Sequence, residues 1–166
     1  MDLNTRYFGE LTIREEEIIN FQKGIPAFED VKRFVIISDS DPTSPFKWLQ
    51  CVDDGNLIFA IANPFMIKKD YDFEIDDKAL AEINVTKIED VEIYSMLVIP
   101  EDISKMTINL KAPLIINHKE RLGNQVILDT DKYSVRHYII EDLKSCWEVN
   151  VDAGAFKEEG AVNCCK

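Results

Sequence analysis

Short apolar runs, nearly all bounded by glycine, proline, asparagine or aspartate, recur along this chain at 34–38, 46–52, 57–62, 91–99, 107–110, 114–117 and 125–128. Their length and their β-branched and aromatic content predict strands. Two junctions predict antiparallel hairpins. Asp53-Asp54-Gly55-Asn56 stands between two apolar runs, and Asp-Gly supplies the positive φ angles that a tight turn requires. Glu120-Arg121-Leu122-Gly123-Asn124 plays the same part between 114–117 and 125–128. The runs 57–62 and 96–99 are apolar at every position, as expected of strands covered on both faces, and a flat sheet with one wet side does not account for them. The pattern predicts a closed barrel or a sandwich.

Residues 107–117, Thr-Ile-Asn-Leu-Lys-Ala-Pro-Leu-Ile-Ile-Asn, form one such run interrupted by Pro113. Proline has no N–H for a ladder, so Pro113 is expected at an edge, a bulge or a strand start, where the chain changes partner strand. Helical pattern is scarce. Residues 29–34 are expected to make a turn or two, and 77–83 a short helix with Asp76 or Asp77 capping its free N–H groups. The chain is chiefly β, with one or two short helices.

At 166 residues and 46% hydrophobic content, the length suits one domain with a substantial core. The formal net charge of −12 would repel phosphate backbones and anionic membranes; it favours solubility or a basic protein partner. The N-terminus lacks a basic region followed by an apolar one, and no apolar run reaches the ~18 residues of a membrane span, so a cytoplasmic protein is expected. Cys51, Cys146, Cys164 and Cys165 show no Cys-x-x-Cys spacing and are expected to be reduced thiols. The pattern changes after residue 140. Trp147, Val149, Val151 and Phe156 alternate loosely with polar residues, which predicts a C-terminal extension at 141–166 made of a short strand and a mobile tail.

The segment 70–76 alternates acid with apolar residue. As a strand it would place Asp70, Asp72, Glu74 and Asp76 on one face and Tyr71, Phe73 and Ile75 on the other. The readings are a solvated edge strand whose charges prevent edge-to-edge pairing, a docking stripe for a basic partner, or a metal site. A calcium loop fails, because Ile75 stands where its glycine is needed and Ala81 where its bidentate glutamate belongs. In Asn63-Pro64-Phe65, the proline is expected to stop the preceding strand and throw Phe65 and Met66 onto a rim. With Tyr71 they would form an apolar patch beside the stripe, or Phe65 would simply close one end of the core. No nucleophile elbow, phosphate loop or His-Glu-x-x-His is present, and His118 and His137 stand alone. No catalytic residue, metal or cofactor is expected.

Five segments in order, 5–9, 21–29, 45–50, 59–64 and 107–117, resemble the landmarks of the flagellar assembly factor FliW family over residues 1–140. One departure is Gly24-Ile25-Pro26-Ala27-Phe28, where the family pattern has glycine in place of Ala27; the turn is therefore expected to avoid positive φ at Ala27. The resemblance implies an antiparallel β-barrel-like fold and a non-enzymatic cytoplasmic protein. It would bind flagellin and, alternately, the translational repressor CsrA, with no direct contact to nucleic acid or membrane. Candidate partner-binding residues are Asn63, Phe65, Asp70, Tyr71, Asp72, Glu74, Asp76, Asn109 and Pro113. The alternative is a small-ligand barrel or enzyme with a site near Asn109, Asn117 and His118.

Overall fold

The computed structural model describes residues 1–144. Its strands are β1 (Asp2–Thr5), β2 (Gly9–Thr12), β3 (Ile19–Phe21), β4 (Arg33–Ser38), β5 (Phe46–Cys51), β6 (Ile58–Ala62), β7 (Val91–Val98), β8 (Thr107–Ile108), β9 (Leu114–Asn117), β10 (Leu122–Gln125) and β11 (His137–Tyr138). Strands β3, β4, β5, β6, β7, β9 and β10 pair in that order, and β10 returns to β3, closing a seven-strand barrel. Every pairing is antiparallel except β10 with β3, which is parallel. Closure leaves no raw edge on the barrel. The cover expected on both faces of 57–62 and 96–99 is found at Ile61, Ala62 and Leu97, whereas Ile58, Phe59 and Ala60 are half-buried and Val98 and Ile99 are exposed, because no described element packs over that part of the outer face.

Ile19, Phe21, Phe34, Leu49, Ile61, Leu114 and Ile116 fill the interior, with Phe21 and Phe34 meeting edge to face at 5.4 Å. Each fully buried side chain of this size contributes about 1.5–3 kcal/mol. Gly123 on β10 is what makes room for Phe21: a Cβ there would lie 2.6 Å from the Phe21 ring. A second cluster packs outside the barrel, where Phe46, Ala62 and Leu97 are covered by Ile67, Tyr71, Met106, Ile108, Leu128, Tyr133, Ile139 and Leu143. The β1–β2 hairpin buries Leu3 and Ile13 with Ile18, Val35 and Val52.

The hairpin between β5 and β6 forms at the expected turn. The expected strand at 125–128 is displaced: β10 runs over 122–125, and the turn falls earlier, with Arg121 at φ +55°. The reason is Gly123, which is needed inside the barrel opposite Phe21 and so cannot serve the turn. Val126 and Leu128 still donate to the carbonyls of Pro113 (3.0 Å) and Lys111 (2.8 Å). The short helix at 77–83 forms as α2 (Asp77–Glu82), capped by Asp76. The helix expected at 29–34 does not form. A tight turn brings Ile25 and Phe28 together, Glu29 folds its carboxylate back onto the Ala27 N–H (3.0 Å), and β4 begins at Arg33. Within that turn Ala27 adopts φ +73°, contrary to the expectation that alanine would avoid it.

Pro113 directly precedes β9, as expected of a strand start. The change of partner is half realised. Both β8 and β9 pair with β7, but three steps along β7, Leu97 to Tyr94, face six from Ile108 to Leu114, so three extra residues bulge out. The outer neighbour does change, from β11 beside β8 to β10 beside β9. Residues 140–144 are helical. The strand expected around Trp147, Val149, Val151 and Phe156, and the thiols Cys146, Cys164 and Cys165, lie outside the described residues; Cys51 is a free, buried thiol.

Candidate docking surface

The acidic segment 70–76 has no strand partner among the described residues, in contrast to the expected strand, yet it keeps the expected sidedness. Asp70, Asp72, Glu74 and Asp76 face solvent, Tyr71 is buried, and Phe73 and Ile75 are half-buried. Two tyrosine hydroxyls replace the ladder. Tyr133 donates to the Asp72 carbonyl (2.9 Å) and accepts from the Asp72 N–H (2.9 Å), so it clamps both backbone groups of one residue. Tyr71 donates to the Leu110 carbonyl (2.7 Å) and meets the Tyr133 ring edge-on at 4.6 Å. Burial, with the nearby Tyr133, pushes the Tyr71 hydroxyl pKa well above its usual value.

The four acids have different duties. Asp70 pairs with Lys68 at 2.8 Å, and that contact holds its carboxyl below the usual range. Asp76 accepts from the Lys78 N–H (3.0 Å) as the cap of α2. Asp72 and Glu74 make no side-chain hydrogen bond or ion pair with any described residue. They line a groove of about 440 Å³ together with Asp76, residues 126–130, Lys132 and Tyr133, so four carboxylates face one lysine, whose ammonium lies over the Tyr133 ring at 5.3 Å. Phe73, Val126 and Leu128 give the groove an apolar floor, and Ile127 is 70% exposed. The part played by 126–130 was not anticipated from the sequence; its one signal was the apolar run 125–128 followed by Asp129.

The apolar patch lies beside the groove. Asn63 caps the short helix α1 (Pro64–Ile67) by accepting from the Phe65 N–H (3.0 Å), which turns Phe65 and Met66 outward at 42% and 46% exposure. The Phe65 ring stacks on Phe73 at 6.0 Å and leans on Tyr71 at 5.4 Å, so patch and groove floor are continuous. Tyr71 itself is only 3% exposed and supports the patch from beneath. Pro113 is also buried.

Asn109, Asn117 and His118 do not converge. Asn109 lies beside Met96 and Asn117 beside Val91, toward opposite ends of β7. Both amides are engaged in holding backbone. Asn109 accepts from the N–H groups of Lys111 (3.2 Å) and Ala112 (3.0 Å). Asn117 donates to the carbonyls of Ile83 (2.8 Å) and Asn84 (3.2 Å) and accepts from the N–H groups of Lys119 and Glu120 (3.1 Å each). Among the described residues no group of three or more His, Cys, Asp or Glu could hold a metal ion, and no helix is long and apolar enough to cross a membrane.

The profile of the FliW protein family matches residues 2–139. The chain is 46% identical over 144 residues to the flagellar assembly factor FliW of Ruminiclostridium cellulolyticum, covering 87% of this chain and 97% of that protein. It is 42% identical over 160 residues to that of Alkaliphilus metalliredigens, covering 96% and 99%. A crystal structure of a flagellar assembly factor FliW superposes with a TM-score of 0.78 at 35% identity, covering 84% of this chain and 97% of that one.

Proposed function

The chain belongs to the FliW family, and from that premise we propose that it is a cytoplasmic flagellar assembly factor that binds flagellin and, alternately, the repressor CsrA. Free flagellin occupies the factor and leaves the repressor active; export of flagellin frees the factor to sequester the repressor and restores flagellin synthesis. The observation that carries this reading is the acidic groove. A carboxylate without an internal partner gains most from an incoming cation, and Asp72 and Glu74, which have none among the described residues, stand above an apolar floor. An RNA-binding repressor must itself carry basic surface, and a factor with net charge −12 attracts it over long range.

In this reading Asp72 and Glu74 steer and dock the repressor, while Asp70 and Asp76 shape the segment. Phe65, presented by the Asn63 cap and supported by Tyr71 beneath it, forms the apolar part of the partner-binding surface, to which Asn109 and the buried Pro113 would contribute only through the backbone they set. The test is stopped-flow association of CsrA with the wild type and with an Asp72→Lys/Glu74→Lys variant across a salt series. Reversal is expected to slow association at least tenfold at low salt and to flatten the salt dependence, since screening acts beyond ~8 Å at physiological ionic strength. An unchanged on-rate and slope would remove the groove from the repressor's binding site.

A further inference from the structure

A second concavity, of about 400 Å³, is lined by Tyr7, Phe8, Trp48, Ile58, Ala60 and Ile99 and shares no residue with the acidic groove. Trp48 and Ala60 face each other across β5 and β6, with their neighbours Leu49 and Phe59 turned into the barrel core. The β1–β2 turn supplies the other wall. Thr5 holds that turn by donating to the Gly9 carbonyl (2.8 Å) and accepting from the Phe8 N–H (2.9 Å). The Phe8 ring meets Trp48 edge-on at 6.1 Å, and Tyr7 stands 63% exposed. A hydrogen-bonded turn that holds large aromatics at the surface is a structured apolar patch, the kind that marks a binding surface. Three of the segments that carry the family resemblance, 5–9, 45–50 and 59–64, meet here.

Charge identifies the occupant. Among the described residues that line it none is ionised, although the protein carries a net charge of −12. A cation stands against the lining Tyr7: the Arg6 guanidinium lies 5.5 Å from that ring's centroid and makes no ion pair with any described residue. A basic segment suited to the acidic groove would meet like charge beside Tyr7.

We propose that this groove is a second docking site, which takes an apolar segment of a partner protein carrying a carboxylate beside its apolar side chains. The apolar side chains fill the space between Trp48 and Tyr7, and the carboxylate pairs with Arg6. The proposal goes beyond the acidic-groove reading and stands if that reading fails. It also makes the two sites chemically distinct, one for a cationic segment and one for an apolar, anionic one.

The probe is a synthetic leucine- and phenylalanine-rich amphipathic peptide with a free C-terminal carboxylate, compared with its C-terminal amide. Titration is followed by Trp48 emission in a full-length Trp147→Phe protein, which leaves one of the two tryptophans. The carboxylate peptide is expected to bind at least tenfold more weakly to Tyr7→Ser and to Ile99→Lys, and equally well to Asp72→Lys/Glu74→Lys. Arg6→Gln is expected to abolish the preference for carboxylate over amide. Tyr7 projects into solvent, so Tyr7→Ser keeps the test open if Ile99→Lys does not fold. Equal binding by the groove variants, or loss of binding in the acidic-groove variant, would overturn the site. Wild-type indifference to amidation would overturn the carboxylate. A concentration-dependent dimer abolished by Tyr7→Ser would reassign the groove to a second copy of this chain.

Discussion

Ala27 adopts φ +73°, a conformation that costs a residue with a Cβ about 1–2 kcal/mol and glycine much less. Glu29 stabilises the turn by accepting from the Ala27 N–H, without removing the steric cost. Ala27→Gly is therefore expected to stabilise the protein by roughly 0.5–1 kcal/mol, after the extra freedom glycine gains in the unfolded chain. The measurement is a rise in the urea midpoint at constant slope, and a lower midpoint would show that the turn is relaxed as it stands. Gly123 presents the converse case. Adding a methyl group 2.6 Å from a fully buried ring forces Phe21 out of place, and Gly123→Ala is expected to cost about 1–3 kcal/mol. A variant with an unchanged midpoint would mean that the Phe21 ring moves freely.

At the scale of elements, the acidic segment depends on Tyr133 in place of a neighbouring strand. Tyr133→Phe keeps the ring packing and leaves the Asp72 N–H and carbonyl without their clamp, a loss expected to cost about 1–2 kcal/mol. Hydrogen exchange should then speed up at 71–75 and not in the barrel strands, whereas a uniform increase would show that Tyr133 supports the whole fold. This segment also shows how far the sequence could be read. Period two correctly sorted Tyr71 from Asp72 because an extended backbone alternates its side chains whether or not it pairs. Pairing itself depends on what lies alongside, and Tyr133 stands 61 residues away from Asp72. The long apolar strands, the Asp-Gly hairpin and the capped helix at 77–82 were legible because local chemistry decides them. The shift of β10 was not, since Gly123 reads as a turn residue until Phe21 is known to face it. The part of 126–130 in the groove escaped for the same reason: nothing in that stretch says which segment it meets.

For the whole molecule, pH stability follows from two sets of groups. Glu17 is held low chiefly by its hydrogen bond to Arg14, Asp53 by Arg33, and Glu82 by Lys23. A carboxyl whose native pKa is depressed stabilises the fold fully above its unfolded value, near 4, and loses that contribution as pH falls through the native one. These pairs are largely exposed, so the acid decline is expected to be shallow. Cys51, Tyr71 and Tyr94 are all shifted upward, chiefly by burial. A raised native pKa contributes fully below the unfolded value, about 8.5 for a thiol and 10 for a phenol, and is lost as pH rises through the native one. Denaturant midpoints are expected to hold level between about pH 5 and 8 and to fall steeply above about pH 9; a midpoint unchanged up to pH 11 would contradict the burial of these groups.

The parallel pairing of β10 with β3 joins Leu122 to Asn20 and Gly123 to Phe21, each 102 positions apart in the chain. A ribosome therefore releases β3 to β6 as an unfinished curl, with one flank of β3 bare until the far side of the molecule has been synthesised. Contacts this distant in sequence slow folding, and a bare strand flank is a place where two nascent chains can stick together. The last stitch of the cylinder is thus expected to wait until nearly all of the described chain has left the ribosome.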